Sequence, residues 1–270
     1  IFFFFILEDR FKNKNIIIIG TLLFLSSPRI FGDSFYNNKD IILLSFLTIN
    51  IFFLLRALNN LNLKNLILFS FFSSITCATR VIGFIIPIIF ISILLVSKKN
   101  KNQYYDNFKI ILIYTISLLL CLIIIWPYLW EDPFHKLLYS FKIFSKYPAE
   151  FFMFYKGDYI YSKFLPLSYL PTWILITTPI ITLVLFIFGY LNLLKRSFNR
   201  TINITSNNFL NDFWRSNNEK NDFIIFLCFS IIFFFIVLSN TDLYNGWRHL
   251  YFLHIFMIYI ACLGLQRITL

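Results

Sequence analysis

The chain is 270 residues long, 59% hydrophobic and only 14% charged, with a mean hydropathy of +0.73. A soluble domain is about 45–50% apolar and about 25% charged, and these apolar residues run in blocks rather than stripes, which excludes an ordinary water-exposed fold. The net charge of +11 would suggest nucleic acid in a soluble protein, but in a membrane chain it follows from cations gathering on one side of the bilayer, and no nucleic-acid partner is expected.

A span of the hydrocarbon layer needs about 20 apolar helical residues. In chain order the apolar runs are 1–7, 16–28, 41–56, 66–97, 109–127, 172–194, 223–239 and 249–265. The first reads as the last turns of a helix already under way, so the chain is expected to be a fragment lacking its N-terminal part. The run 66–97 would be about 48 Å long as one helix, too long for a single span, and carries ATRVIG near its middle. It divides into helices at about 66–79 and 83–97 that meet at Arg80. The expected fold is an all-α integral membrane bundle of about nine spans, the first incomplete, forming one domain over 1–270. Cys77, Cys121, Cys228 and Cys262 lie inside apolar runs without metal-like spacing and read as buried thiols.

With these spans, fifteen of the 24 lysines and arginines fall in one set of loops and nine in the other. The richer set is expected to face the cytoplasm. It includes a polar loop at 195–222, whose sequons at Asn199 and Asn203 would then carry no glycan. The opposite loops are dense in Pro, Asp, Arg, Tyr and Trp. The longest, 127–171, contains an amphipathic stretch at about 133–146, with Phe134, Leu137, Leu138 and Phe141 against His135, Lys136, Ser140 and Lys142. That spacing predicts a helix lying in the interface plane, started by Asp132 and Pro133.

Four clusters on this face have the residues for chemistry. SPRIFGDSFYNNKD places Asp33, Tyr36, Asn37, Lys39 and Asp40 in one short bent loop. Charges at a span boundary commonly serve as solvated anchors, yet such a loop also holds carboxylate and cation at the fixed separation a sugar-transfer site needs. Arg80 either snorkels to the interface or turns inward to bind a phosphate with its two-pronged fork. NTDLYNGWRHLYFLH brings Asp242, Tyr244, Asn245, Trp247, Arg248 and His249 to the start of the last span. An aromatic belt accounts for Tyr and Trp there but not for the Asp-Asn-Arg-His company. His249 is a proton carrier or a hydrogen-bonded structural histidine. The fourth, GDYIYSKFLPLSYLPTWILITTP, bends the chain back into the membrane at three prolines. Glu131 and Asp132 are ligands for a divalent cation or a helix cap, and the chain has no phosphate-binding glycine motif.

Taken together, SPRIFGDSFYNNKD, ATRVIG, WPYLWEDP, YLPTWILITTP and YNGWRHLYFLH, in this order over about residues 16–255, resemble polytopic bacterial glycosyltransferases of the GT-C superfamily. The likeness is to the dolichyl-phosphate-mannose-protein mannosyltransferase and 4-amino-arabinose lipid A transferase types (glycosyltransferase family 39-like). The resemblance implies transfer of a sugar from a polyprenyl-phosphate donor, with inversion, to a glycan, lipid or protein acceptor outside the cytoplasm, in a bacterial inner membrane. It implies Lys39, Arg80 and Arg248 at the donor phosphate with Asp40 beside them as a catalytic carboxylate; the clusters themselves add Asp33 as a second carboxylate and Tyr36, Asn37, Tyr244, Trp247 and His249 along the substrate groove. The resemblance also implies that a principal acidic residue sits in a loop preceding Ile1, so the fragment by itself is expected to be impaired. No organic cofactor is expected, and a divalent metal is left open. The alternative class is a transporter or flippase of lipid-linked sugars, which would place polar residues and broken helices at the midplane, with repeated halves; no internal repeat is visible.

Overall fold

The computed structural model describes residues 1–96, 101–145, 151–202, 214–239, 243 and 245–269. Asp242 and Tyr244, the last residue of the amphipathic stretch, Lys146, and the sequon residue Asn203 lie outside the described residues.

The described chain is helical almost throughout. The first half comprises α1 (Phe2–Arg10), α2 (Lys14–Leu25), the short α3 (Pro28–Asp33), α4 (Asn38–Asn59), α5 (Leu63–Thr79), α6 (Ile85–Val96) and α7 (Lys101–Ile125). Asparagine side chains cap three of these: Asn13 accepts from the amide of Asn15, Asn37 from that of Asp40 and Asn62 from that of Asn65. Each meets one of the amides that a helix leaves without an internal partner. The helix break expected at Arg80 is present. Thr79 ends α5, Arg80 is extended, and a 3₁₀ turn at Val81–Phe84 leads into α6. Gly83 sits against the carbonyl of Thr76, where a Cβ would come within 2.6 Å. Any larger residue would push the two segments apart.

Beyond α7 come α8 (Pro133–Ser145), a hairpin of β1 (Phe152–Tyr155) and β2 (Asp158–Tyr161), then α9 (Tyr169–Thr177), α10 (Ile180–Ile202), α11 (Asn217–Leu238) and α12 (Leu253–Thr269). The amphipathic helix expected near 133–146 is α8. Asp132 accepts from the amide of His135, and Glu131 pairs with Lys136, so both acids serve the helix start.

Two expectations change, and the loop 127–171 holds an element the sequence reading did not name, an antiparallel hairpin. Its two-residue turn, Lys156-Gly157, has positive φ at both positions (53° and 100°), the twist that matches paired strands. The expected span 172–194 is broken at Thr178, which is extended ahead of Pro179 because a proline ring clashes with a helical residue before it. The expected loop 195–222 is helical at both ends, where α10 and α11 extend into it.

Among the described residues, α4, α10, α11 and the portion 106–125 of α7 are long and apolar enough to cross a membrane, while α2, α5, 81–95 and α12 are shorter apolar helices. Buried on every side, α12 is the axis of the bundle: Leu253 to Gly264 are all buried. It packs against α10 through Gly189 and Gly264, each of which would drive a Cβ into a backbone carbonyl of the other helix, Ile260 and Leu185 respectively. Small residues allow this close approach where lipid offers no hydrophobic drive. Between α4, α5 and α7 runs a seam of neutral polar groups. Asn50 donates to Thr76 (3.0 Å) and accepts from Ser73 (2.9 Å), which in turn accepts from Tyr114 (3.0 Å). These groups satisfy one another, as they must away from water.

Ion pairs segregate to the two ends of the bundle. At one end Arg10 and Arg196 meet Asp222, Arg200 meets Glu219, and Arg56 meets Asp9. At the other lie the four clusters singled out in the sequence.

Candidate active site

The α3–α4 junction, the Arg80 break and the segment before α12 meet at this second end. Asp40, in the first turn of α4, is 2% exposed. Its carboxylate pairs with the guanidinium of Arg80, accepts from Asn37 Nδ2 at 2.9 Å, and lies 3.5 Å from Arg248 Nε. Arg80 also donates to His249 Nδ1 at 2.8 Å. An arginine N–H can only donate, so Nδ1 accepts and the imidazole proton sits on Nε2. His249 Nδ1 also lies 3.7 Å from the Asp40 carboxylate.

A second cluster adjoins it. Tyr251 accepts from Arg29 Nε at 2.7 Å and donates to the carboxylate of Asp33, which Arg29 also approaches at 3.9 Å. A further Arg29 nitrogen reaches the carbonyl of Asn245. Burial works against the Arg29 charge, but the bond to Tyr251 and the Asp33 carboxylate outweigh it and hold its pKa above the usual arginine value.

Between these clusters and the hairpin opens a cleft of about 540 Å³. Its polar wall is Arg29, Asp33, Asn37, Asn245 and Arg248, and its aromatic and apolar wall is Tyr36, Trp173 and the β1 residues Phe152, Met153 and Phe154. Gly246, at φ 72°, brings the backbone flat against the Trp173 ring, where a Cβ would sit 3.3 Å from it. The Gly246 amide donates to Tyr169.

The structure therefore brings together Asp33, Tyr36, Asn37, Asp40, Arg80, Arg248 and His249. It does not bring in Lys39, which is exposed, makes no ion pair with a described residue and is absent from the cleft wall. Lys39 precedes Asp40 on a helix, and successive helical side chains diverge by about 100°. Nor does Trp247 line the groove: it is 1% exposed, donates its indole N–H to Thr177 at 2.7 Å and packs edge-on against Tyr251. Asp40 is not a free carboxylate in the cleft but the shared anion between two guanidinium groups. Arg29, Tyr251, Trp173 and the hairpin were not assigned from the sequence. The Arg29–Asp33 spacing of four within a helix was a usable signal, whereas Tyr251 is hidden inside an apolar run.

These features define an integral membrane protein of the all-α class with a polar, aromatic-walled cleft at one end of its bundle. Residues 1–130 match the family model described as dolichyl-phosphate-mannose-protein mannosyltransferase, a GT-C family, and the match supports a GT-C-like glycosyltransferase. The matched region contains Arg29, Asp33, Tyr36, Asn37, Asp40 and Arg80; the hairpin, Arg248, His249 and Tyr251 lie beyond it. No curated protein and no solved structure matches the chain.

Proposed function

We propose that the cleft transfers a sugar from a polyprenyl-phosphate donor to an acceptor on the extracytoplasmic face of a bacterial inner membrane. The observation that carries this reading is the convergence of Arg80 and Arg248 on one buried carboxylate at the edge of a cleft walled by aromatic rings. In the reaction an acceptor oxygen or nitrogen attacks the anomeric carbon, its proton passes to the Asp33 carboxylate, the bond from that carbon to the phosphate oxygen breaks, and the electron pair of that bond stays on the phosphate. Charge develops on that phosphate oxygen, and fixed cations stabilise it most where water is excluded. Arg248 lines the cleft and is the donor phosphate ligand, with Arg80 behind it. Asp40 is a positioning residue that keeps both guanidinium groups pointed and pre-paired. Asp33, 8% exposed on the cleft wall, faces the acceptor, and its bond from Tyr251 fixes its orientation. The aromatic wall suits a sugar face and the first isoprene units of a lipid donor.

The test is sugar transfer from defined polyprenyl-phosphate donors by the purified protein. Arg248→Ala is expected to lower kcat/KM by about 100-fold or more. Wild-type rates for both Arg248→Ala and Asp40→Asn would remove this cluster from the mechanism.

A further inference from the structure

The other end of the bundle has its own cavity, of about 590 Å³, enclosed by the last turns of α10, the approach to α11 and the end of α12. Its wall carries Lys195, Arg196, Arg200, Arg215 and Arg267. Two of these cations are matched within the fold. Arg196 meets Asp222 and Arg200 meets Glu219, each at 3.3 Å. Lys195, Arg215 and Arg267 make no ion pair with a described residue, so among the described residues the cavity wall carries three cations beyond those matched by an acid. Both wall-side acids are already engaged: Asp222 also takes Arg10 and Tyr259, and Glu219 also takes the amide of Arg215.

Depth and surroundings say what kind of anion fits. Lys195 is fifteen residues beyond Ile180, the first residue of α10, or about 22 Å along the helix. The cavity therefore lies near headgroup depth in the leaflet opposite the cleft. The outward surface of α10 is an unbroken strip of exposed apolar side chains, among them Ile187, Leu191, Leu194 and Phe198, ending beside the cavity. A basic pocket between helices, continuous with an acyl-facing strip, has the form of an anionic-lipid site. A soluble acidic segment would gain nothing from that strip.

We propose that this cavity binds the phosphate headgroup of an anionic membrane lipid, through Lys195, Arg215 and Arg267, with the acyl chains along α10. The site is independent of the cleft chemistry. The experiment is thermal unfolding of the detergent-purified protein titrated with phosphatidylglycerol, with phosphatidylcholine, inorganic phosphate and an acidic peptide as separate arms. Phosphatidylglycerol is expected to raise Tm saturably, with little shift from the other three. The triple variant Lys195→Gln/Arg215→Gln/Arg267→Gln leaves the Asp222 and Glu219 pairs intact; it is expected to keep the Tm seen in phosphatidylcholine while its phosphatidylglycerol midpoint weakens by more than about tenfold. The single variant Arg267→Gln, expected to fall between the two, decides the matter should the triple variant fail to fold. An unchanged midpoint in the variants overturns the proposal. So does an equal shift from phosphate or peptide, or no shift from phosphatidylglycerol.

Discussion

Asp40 and Arg80, forty residues apart, close an ion pair in which the carboxylate is almost wholly buried and Arg248 flanks the same anion. Arg80 can reach Asp40 because α5 ends at Thr79 and the extended Arg80 swings its side chain across to the first turn of α4. Removing one partner of such a pair leaves the other charge uncompensated, which typically costs about 3–5 kcal/mol when fully buried and less here, since Arg80 is a quarter exposed. Arg80→Ala, which strands the buried carboxylate, is expected to lower Tm more than Asp40→Asn. Both should reduce sugar transfer, and Arg80→Lys should restore stability better than activity because the bidentate fork is lost. Equal activity for Arg80→Lys and wild type would show that the Arg80 fork has no part in supporting the phosphate site.

At the far end Asp222 is 0% exposed and holds Arg10 with two bonds at 2.7 and 2.9 Å, as well as Arg196 and Tyr259. It ties α1, α10, α11 and α12 together. Asp222→Asn should destabilise by about 3 kcal/mol or more, read as a lower detergent Tm. Activity per folded molecule should be retained, since the cleft is at the opposite end. Loss of activity in the folded fraction would show that the two ends are coupled.

The hairpin turn depends on Gly157 at φ 100°, with open space around it. Gly157→Val is expected to strain the turn by about 1–2 kcal/mol without a clash. Because Phe152 and Phe154 line the cleft, the expected signature is a raised KM for the lipid donor with a smaller change in kcat. A pure kcat effect would argue against the hairpin as a substrate wall.

Gly264 on α12 has no room for a side chain against Leu185 of α10. Gly264→Val should separate the two helices, with a cost of about 1–3 kcal/mol or more from overpacking. The check is Tm, and an unchanged value would mean that the α10–α12 contact is looser than the structure shows.

The start of α8 gives a pH dependence. The hydrogen bond and charge of Lys136 hold the Glu131 carboxyl below its ordinary 4.5. A carboxylate with a depressed folded pKa contributes stability that is complete above its unfolded pKa and is lost as pH falls through the lower folded value. Glu131→Gln should remove that part of the acid sensitivity, and the effect should be small because Glu131 is fully exposed. Acid titration of wild type and variant by circular dichroism would test it. A larger acid sensitivity in the variant would contradict the sign.

The sequence determined that the chain is an α-helical membrane protein and that its long apolar run breaks at Arg80. Hydrophobic block length and the cost of an intramembrane arginine are local quantities, readable one segment at a time. The resemblance carried by SPRIFGDSFYNNKD and ATRVIG falls inside the residues that match the family model, so that likeness was legible as well. Tertiary structure decided which charges meet. Lys39 and Asp40 are neighbours in sequence, but helix geometry turns the lysine outward and the carboxylate inward. Tyr251, buried in an apolar run, becomes the link between Arg29 and Asp33 only because α12 threads the centre of the bundle. A side chain's partner is set by the packing of helices distant in sequence, and no local pattern records it.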